Sequence, residues 1–287
     1  MTWVLGGLLT KSEADEVAAR AGESDRLGYP AAAVFEEAEG EDRFRIDIYF
    51  ETEPDESVLH EELGPSASKL SLAALPEDVD WVKEGLRDLK PVSVGRFFVH
   101  GSHDSDKVRA YHHAILIEAG QAFGTGHHGT TAGCLEAIER VTRRHRFPAI
   151  LDLGTGSGVL AAALALETKS RVLATDIDPV SVRLAKENMK ANGLAGLVRC
   201  ETAAGFDHPV FARNGPFGLV VANILARPLM SLAQPMTRHL RSNATIILSG
   251  LLIRQRAQVL SAYRRQGAIL IEEIRREGWS TLILNRP

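Results

Sequence analysis

Residues 151–158 read Leu-Asp-Leu-Gly-Thr-Gly-Ser-Gly, and Asp176 follows Gly154 by 22 positions within Ala-Thr-Asp-Ile-Asp-Pro. That spacing describes a strand, a glycine turn, a helix, a second strand and an acid at its tip. In such a unit the acid is placed to hold a ribose. Gly154 and Gly156 lack a Cβ and let the backbone approach a ligand closely. Asp176 can accept hydrogen bonds from both ribose hydroxyls with charge-assisted strength. The dinucleotide fingerprint needs its third glycine at position 159, which is Val159. A pyrophosphate loop is therefore the weaker reading. An ordinary βα turn with a surface aspartate is the alternative, and the register of the acid argues against it.

Two further segments carry chemistry. Residues 123–131 read Phe-Gly-Thr-Gly-His-His-Gly-Thr-Thr just ahead of a helical pattern. Such a loop offers backbone N–H groups and hydroxyls, those of Thr125 and Thr131 among them, to an anionic group at a helix N-terminus. Thr130 or Thr131 would also serve as the N-cap. Residues 219–229 read Leu-Val-Val-Ala-Asn-Ile-Leu-Ala-Arg-Pro-Leu. Val220 and Val221 end a buried strand, and Asn223 stands at its carboxyl tip, where ligands bind in open α/β sheets. The asparagine amide can accept a hydrogen bond from an amine while donating elsewhere. Capping of a helix starting near Pro228 is its structural alternative. Six of the ten histidines lie between 100 and 128, yet neighbours such as 112–113 and 127–128 diverge on most backbones and no cysteine joins them. No metal is expected.

The elements that must position these groups fall into two patterns. Before residue 65, strands at 4–9, 31–36 and 44–50 and helices at 11–21 and 56–63 give the order β-α-β-β-α. The strand at 44–50 alternates as Phe44, Ile46, Ile48 and Phe50. That order suggests a small α+β domain of ferredoxin-like type over residues 1–64. Residues 65–95 hold Pro65, Pro76 and Pro91 around an amphipathic stretch and read as a linker with a helix. Phe97–Val99 and the run 114–118 are expected to form a lead-in hairpin. From about 130, helices and strands alternate to 285, which implies a parallel, doubly wound sheet over residues 96–287. The last two runs, 268–274 and 280–285, read as an antiparallel hairpin.

Charged groups nearly balance, with 33 basic and 37 acidic residues and a net charge of −4. That composition argues against a generic nucleic-acid binder. The paired arginines at 143–144, 264–265 and 275–276 read as solvated, dipole-complementing positions. The two cysteines, Cys134 and Cys200, form no metal-ligand spacing and no disulfide framework, so a reducing cytoplasm is expected. The start reads as a first strand and not as a signal peptide. No apolar run reaches membrane-spanning length.

The glycine motif is similar to motif I of the class I methyltransferases, whose cofactor is S-adenosylmethionine. The motifs at 123–131, 152–160, 176–179 and 222–229 together resemble the bacterial ribosomal protein L11 methyltransferase family. The resemblance covers roughly residues 95–287. It implies a class I, Rossmann-like methyltransferase fold and S-adenosylmethionine as methyl donor. Thr131, Gly154, Asp176 and Asn223 stand at the family's cofactor positions, with Gly156 beside them. Asp152 could reach the ammonium of the cofactor's tail, and Asn223 could position the amine. The implied reaction is methylation, up to trimethylation, of lysine ε-amines and the N-terminal α-amine of ribosomal protein L11, free or on the large subunit. The N-terminal domain would then recognise the substrate. No membrane and no direct contact with nucleic acid is expected. A methyltransferase acting on another protein or on RNA is the alternative, and a non-catalytic cofactor binder a further one. Many members carry Asp-Pro-Gly before the nonapeptide where this chain has Glu-Ala-Gly at 118–120, and a proline or acid where Gly129 stands.

Overall fold

The computed structural model describes residues 3–28, 30–36, 42–50, 52–74, 91–117, 128–143 and 145–287. The chain forms two compact units, whose described residues lie within 3–74 and 91–287.

In the first unit, β1 (Trp3–Leu9), α1 (Lys11–Glu23), β2 (Ala31–Glu36), β3 (Phe44–Phe50), α2 (Glu56–Leu63) and β4 (Ser71–Ala74) follow in order. The strands run β2-β3-β1-β4, all antiparallel to their neighbours. This is the ferredoxin-like arrangement expected from the sequence. Alternation in β3 puts Ile46, Ile48 and Phe50 on the face that α1 and α2 cover with Val17, Ala21, Leu59 and Leu63. Thr10 and Glu13 start α1 with a reciprocal capping box, and Asp55 caps α2 through the Ser57 N–H at 2.8 Å. Residues 65–74, which the sequence assigns to a linker, form a 3-10 turn at Pro65–Lys69 and the edge strand β4 on β1. A four-residue strand is too short to show a period, which is why it reads as linker.

The second unit opens with β5 (Val92–Val94), β6 (Phe97–His100) and β7 (His113–Leu116). The sequence suggests that the last two make a hairpin, but they pair in parallel, Phe97 with His113 and His100 with Leu116. The twelve or so residues between them, including a turn at Ser102–Lys107, carry the chain back to the starting end.

The main sheet has seven strands in the order β10-β9-β8-β11-β12-β14-β13. They are β8 (Ile150–Leu153), β9 (Val172–Asp176), β10 (Val198–Thr202), β11 (Phe217–Asn223), β12 (Leu240–Leu252), β13 (Ile269–Arg276) and β14 (Trp279–Arg286). The first five are parallel, while β14 inserts antiparallel between β12 and β13. One face is covered by α3 (His128–Thr142), α4 (Val159–Thr168) and α5 (Pro179–Ala191), the other by α6 (Pro209–Asn214), α7 (Ala226–Arg238) and α8 (Arg256–Arg264). Alternate residues of β11 divide between the layers, with Leu219 and Val221 on one side and Val220 and Ala222 on the other. The fold is the doubly wound α/β architecture expected. No helix among the described residues is long and apolar enough to cross a membrane.

Helix α4 shows why the sheet is held rigidly. Its run Val159–Ala165 is buried throughout, because the helix lies between the sheet and its neighbours on all sides. Leu164 is fully buried there. Leu164→Ala should cost about 2–5 kcal/mol through lost burial and a residual cavity. Urea unfolding followed by circular dichroism reads this as a lower midpoint at unchanged slope, and a cost below about 0.5 kcal/mol would contradict the packing described.

Candidate functional site at the strand tips

Strand order reverses on either side of β8, with β9 to one side and β11 to the other. At such a switch point the connections leave in opposite directions and open a crevice at the carboxyl ends of the strands. The motif residues Gly154, Asp176 and Asn223 sit at those ends.

The glycine loop is tied down by backbone bonds. The N–H groups of Gly154 and Thr155 both donate to the Thr175 carbonyl, at 2.8 and 2.9 Å. The Gly156 N–H donates to Asp176 Oδ2 at 2.8 Å, and the Asp178 N–H to Oδ1 at 3.1 Å. A carboxylate has about four lone-pair sites, so Asp176 retains acceptor capacity for hydroxyls. Gly154 and Gly158 have φ of 74° and 87°, in the left-handed region that other residues avoid. A Cβ at 154 would lie 2.3 Å from Ile224 Cγ2, and one at 158 would lie 2.9 Å from Met189 Cε. Gly154 thus admits Ile224, and Gly158 admits α5. From α5, the buried Asn188 amide donates to the Ser157 carbonyl at 2.9 Å and holds the loop from behind. Asn188 bears no motif, and only its burial among the α5 residues reveals the role.

Asp152 is fully buried below the loop. Its Oδ2 accepts from the Thr155 hydroxyl at 2.6 Å, while Oδ1 finds no well-aligned donor among the described residues. Burial pushes the carboxyl up to about 7, against the Thr155 hydroxyl and the Ala161 N–H, which favour the charged form. An orphaned buried oxygen at the loop's base fits a ligand bearing a cationic donor.

Opposite the loop, the first turn of α3 meets the tip of β11. The Asn223 amide nitrogen donates to Thr130 Oγ1 at 3.3 Å. The fully buried Ser249 hydroxyl reaches the Thr130 carbonyl at 3.4 Å and lies 2.9 Å from Thr281 Oγ1. Thr130 is itself buried, whereas Thr131 is half-buried. Because α3 begins at His128, both threonines lie inside its first turn, and neither is the N-cap that the sequence suggests. Asn223 is no cap either, since Leu225 precedes the first residue of α7. Thr125 and the rest of 118–127 lie outside the described residues. Thr130, Ser249 and Thr281 were missed as a network because single hydroxyl residues on separate elements leave no spacing signal.

Two apolar side chains line the rim, Ile177 directly after Asp176 and Leu225 after the Asn223 turn, 71% and 38% exposed. The histidines scatter: His113 Nε2 lies 3.2 Å from Glu167, His112 accepts from the Arg109 N–H, and His100 sits beside the Gly101 carbonyl. Among the described residues, no three His, Cys, Asp or Glu side chains are grouped to hold a metal.

Comparison with known proteins agrees with this geometry. The family model described as ribosomal protein L11 methyltransferase (PrmA) matches residues 7–287. A ribosomal protein L11 methyltransferase of Rhizobium leguminosarum is 46% identical over 288 residues, covering 97% of each chain. One from Rhizobium rhizogenes is 54% identical over 210 residues, covering 73% of this chain and 72% of its own. The crystal structure of a ribosomal protein L11 methylase from Lactobacillus delbrueckii subsp. bulgaricus is 30% identical with a TM-score of 0.61, covering 69% of this chain and 99% of that one.

The close approach at Gly154 generates a direct test. Gly154→Ala meets both a left-handed φ, which costs an L-residue about 1–2 kcal/mol, and the Ile224 side chain. Calorimetry with S-adenosylhomocysteine should show affinity at least tenfold lower for the variant, with its circular dichroism unchanged. Unaltered affinity would remove the loop from the ligand site.

Proposed function

The chain belongs to the ribosomal protein L11 methyltransferase family, whose methyl donor is S-adenosylmethionine, and we propose that it transfers methyl groups to amines of ribosomal protein L11. The targets are lysine ε-amines and the N-terminal α-amine, each taken up to trimethylation. The observation that carries this reading is the convergence of Asp176, Asp152 and Asn223 around the Gly154 loop at the switch point. Asp176 accepts the two ribose hydroxyls, Gly154 and Gly156 lie under the cofactor's tail, and Asp152 Oδ1 faces its ammonium. Thr131, in the first turn of α3, stands on the side of the crevice opposite the loop, and Thr125 takes its place in the assignment from the sequence motif alone, since it lies outside the described residues. Ile177 covers one face of the adenine.

S-adenosylmethionine supplies an activated methyl on a sulfonium. The protein's part is to align and desolvate the amine that attacks it. The amine must be neutral, and a free lysine is deprotonated in only about one part in 2,500 at pH 7. Desolvation in the crevice favours the neutral form. Asn223 donates from Nδ2 to Thr130 Oγ1, which turns Oδ1 to accept an N–H of the primary or secondary amine and hold its lone pair in line; the tertiary amine of the third transfer has no N–H and is aligned by the crevice walls alone. No group in the motifs is a strong general base, so the ammonium loses its proton to water before docking. The first unit recognises the substrate.

Intact-mass spectrometry of unmethylated ribosomal protein L11 with this enzyme and S-adenosylmethionine tests the reading. Gains of about 14 Da per methyl are expected, and none with Asp176→Ala. Asn223→Ala should lower kcat about 10²-fold or more with cofactor affinity kept, a loss in the range expected when a positioning contact is removed. Full turnover would remove its role. Deleting residues 1–88 should keep cofactor binding and abolish methylation of ribosomal protein L11.

Asp152 adds a pH signature. Its folded-state pKa lies above the unfolded value of about 3.9, so its contribution to apoprotein stability is present at low pH and is lost as pH rises through about 7. A cationic tail needs the ionised carboxylate. Cofactor affinity should therefore rise between about pH 5.5 and 8, roughly one unit or more on either side of the shifted value, with proton release at the lower end. Asp152→Asn should flatten that rise in calorimetry, and an unchanged profile would rule out the assignment.

A further inference from the structure

Three neighbouring strands set out a row of polar side chains beneath the start of α3. In the parallel pairing of β11 and β12, Asn223 stands directly beside Ser249. Leu248 pairs with Leu282 across β12 and β14, which makes Thr281 the next neighbour in the row. Side chains alternate between the faces of a sheet. Val221 and Ile247, two residues before Asn223 and Ser249, pack in the layer that holds α3, as does Ile283, two residues after Thr281. All three polar side chains accordingly face α3.

The helix comes down closely onto this row. Gly133 lies inside α3, where glycine is less favourable than alanine. A Cβ there would lie 2.4 Å from Thr281 Oγ1. Position 133 thus gives up helix propensity for close approach to the row. In the same helix, Thr130 uses two atoms. Its carbonyl accepts from the Ser249 hydroxyl at 3.4 Å, and its Oγ1 accepts from the Asn223 amide at 3.3 Å. The Thr281 hydroxyl lies 2.9 Å from Ser249 Oγ. By donating there, it leaves the Ser249 proton for the Thr130 carbonyl. The bonds to Thr130 are long, so the approach at Gly133 sets the spacing and the bonds set the direction.

We propose that Ser249 is a positioning residue for methyl transfer, acting through Thr130 on Asn223, and that it serves the first two transfers to an amine but not the third. This role rests on the reading of Asn223 as the acceptor that aligns the amine. Ser249 is fully buried and Thr281 nearly so, and neither touches the reactants. In each transfer the nitrogen lone pair forms the N–C bond as the C–S bond breaks, and the electron pair of that bond stays on sulfur. The ammonium formed in the first two rounds releases a proton to water before the next. A primary amine offers Asn223 Oδ1 two N–H groups, a secondary amine one, and a tertiary amine none. A displaced Asn223 therefore misdirects the first two nucleophiles and leaves the third as it was. A Ser249 that only held the fold together would affect all three alike.

Two substrates separate the transfers: unmethylated ribosomal protein L11, and the same protein with every amine reductively dimethylated, which accepts only a third methyl. Intact-mass spectrometry reads initial rates of the full chain on both, at saturating S-adenosylmethionine. Ser249→Ala should slow the unmethylated substrate about tenfold, short of the roughly 10²-fold that a displacement of about 1 Å can cause. On the dimethylated substrate it should match the parent enzyme. Thr281→Val should give a weaker form of the same split, and Thr281→Ser, which keeps the hydroxyl, should not. These two keep the test open if Ser249→Ala does not fold, and unchanged binding of S-adenosylhomocysteine marks the folded variants. Equal slowing on both substrates, or none on either, would overturn the proposal, as would a parent enzyme that leaves the dimethylated substrate untouched. Asn223→Ala, run alongside, locates a failure. If it shows the split and Ser249→Ala does not, only the role of Ser249 falls. If it slows both substrates equally or neither, the amine-positioning reading falls with it.

Discussion

The site depends on how Ile224 is packed. Its side chain fills the space where Gly154 would carry a Cβ, and its backbone lies where Gly250 would carry one, 2.4 Å from the Ile224 carbonyl oxygen. Both glycines have positive φ, 74° and 81°. One residue therefore packs against the tips of both β8 and β12, which the sheet's own pairing already joins to β11. Ile224 directly follows Asn223, so the same packing fixes where the asparagine amide emerges. Protein interiors are close-packed and transmit small displacements. A shift at either glycine would consequently move Asn223, its bond to Thr130 and the glycine loop as a set.

Around that contact, polar groups are arranged in two tiers. The lower tier is buried and structural: Ser249 and Thr281 satisfy each other and reach the Thr130 carbonyl, while Asn188 holds Ser157. The other tier is left with capacity for a ligand: Asp176 with spare lone pairs at the strand tip and, beneath the loop, the buried Asp152 with an orphaned oxygen. Such a division keeps the reacting geometry on rigid strands and confines unsatisfied groups to where a ligand would complete them. Gly129 follows the same logic at the start of α3. A Cβ there would lie 3.0 Å from Glu277 Oε2 and 3.2 Å from Trp279 Cδ1. The absence of a larger residue lets the turn between β13 and β14 come close to the helix.

Local spacing made the cofactor end legible. Gly154, Asp176 and Asn223 each end a strand of strong apolar period, so their convergence follows from the doubly wound topology alone. The alternation of Ile46 and Ile48 likewise exposed the first sheet. What escaped the sequence lacked a period or joined distant elements. Strand β4 and helix α6, four and six residues long, are too short to show one. The parallel pairing of β6 and β7 depends on a connection whose path only tertiary packing decides. Thr130, Ser249 and Thr281 lie on three elements, and their contact is visible only once α3 docks against β12 and β14.

The balance of charge explains why packing, more than electrostatics, has to govern the chemistry at this site. Methyl transfer from a sulfonium to a neutral amine moves one positive charge from sulfur to nitrogen and creates none. Asp152 and Asp176, in the roles proposed for them, favour a cation before and after the step, so they would add binding more than they lower the barrier between the two states. What remains for the protein is to hold the amine lone pair in line with the methyl and to exclude water. Well-oriented reactants can recover about 7–11 kcal/mol through this route. Alignment of that kind needs an acceptor whose position cannot drift. In the proposed reaction Asn223 is that acceptor, because it ends β11 between β8 and β12 and the Ile224 that follows it packs against Gly154 and Gly250.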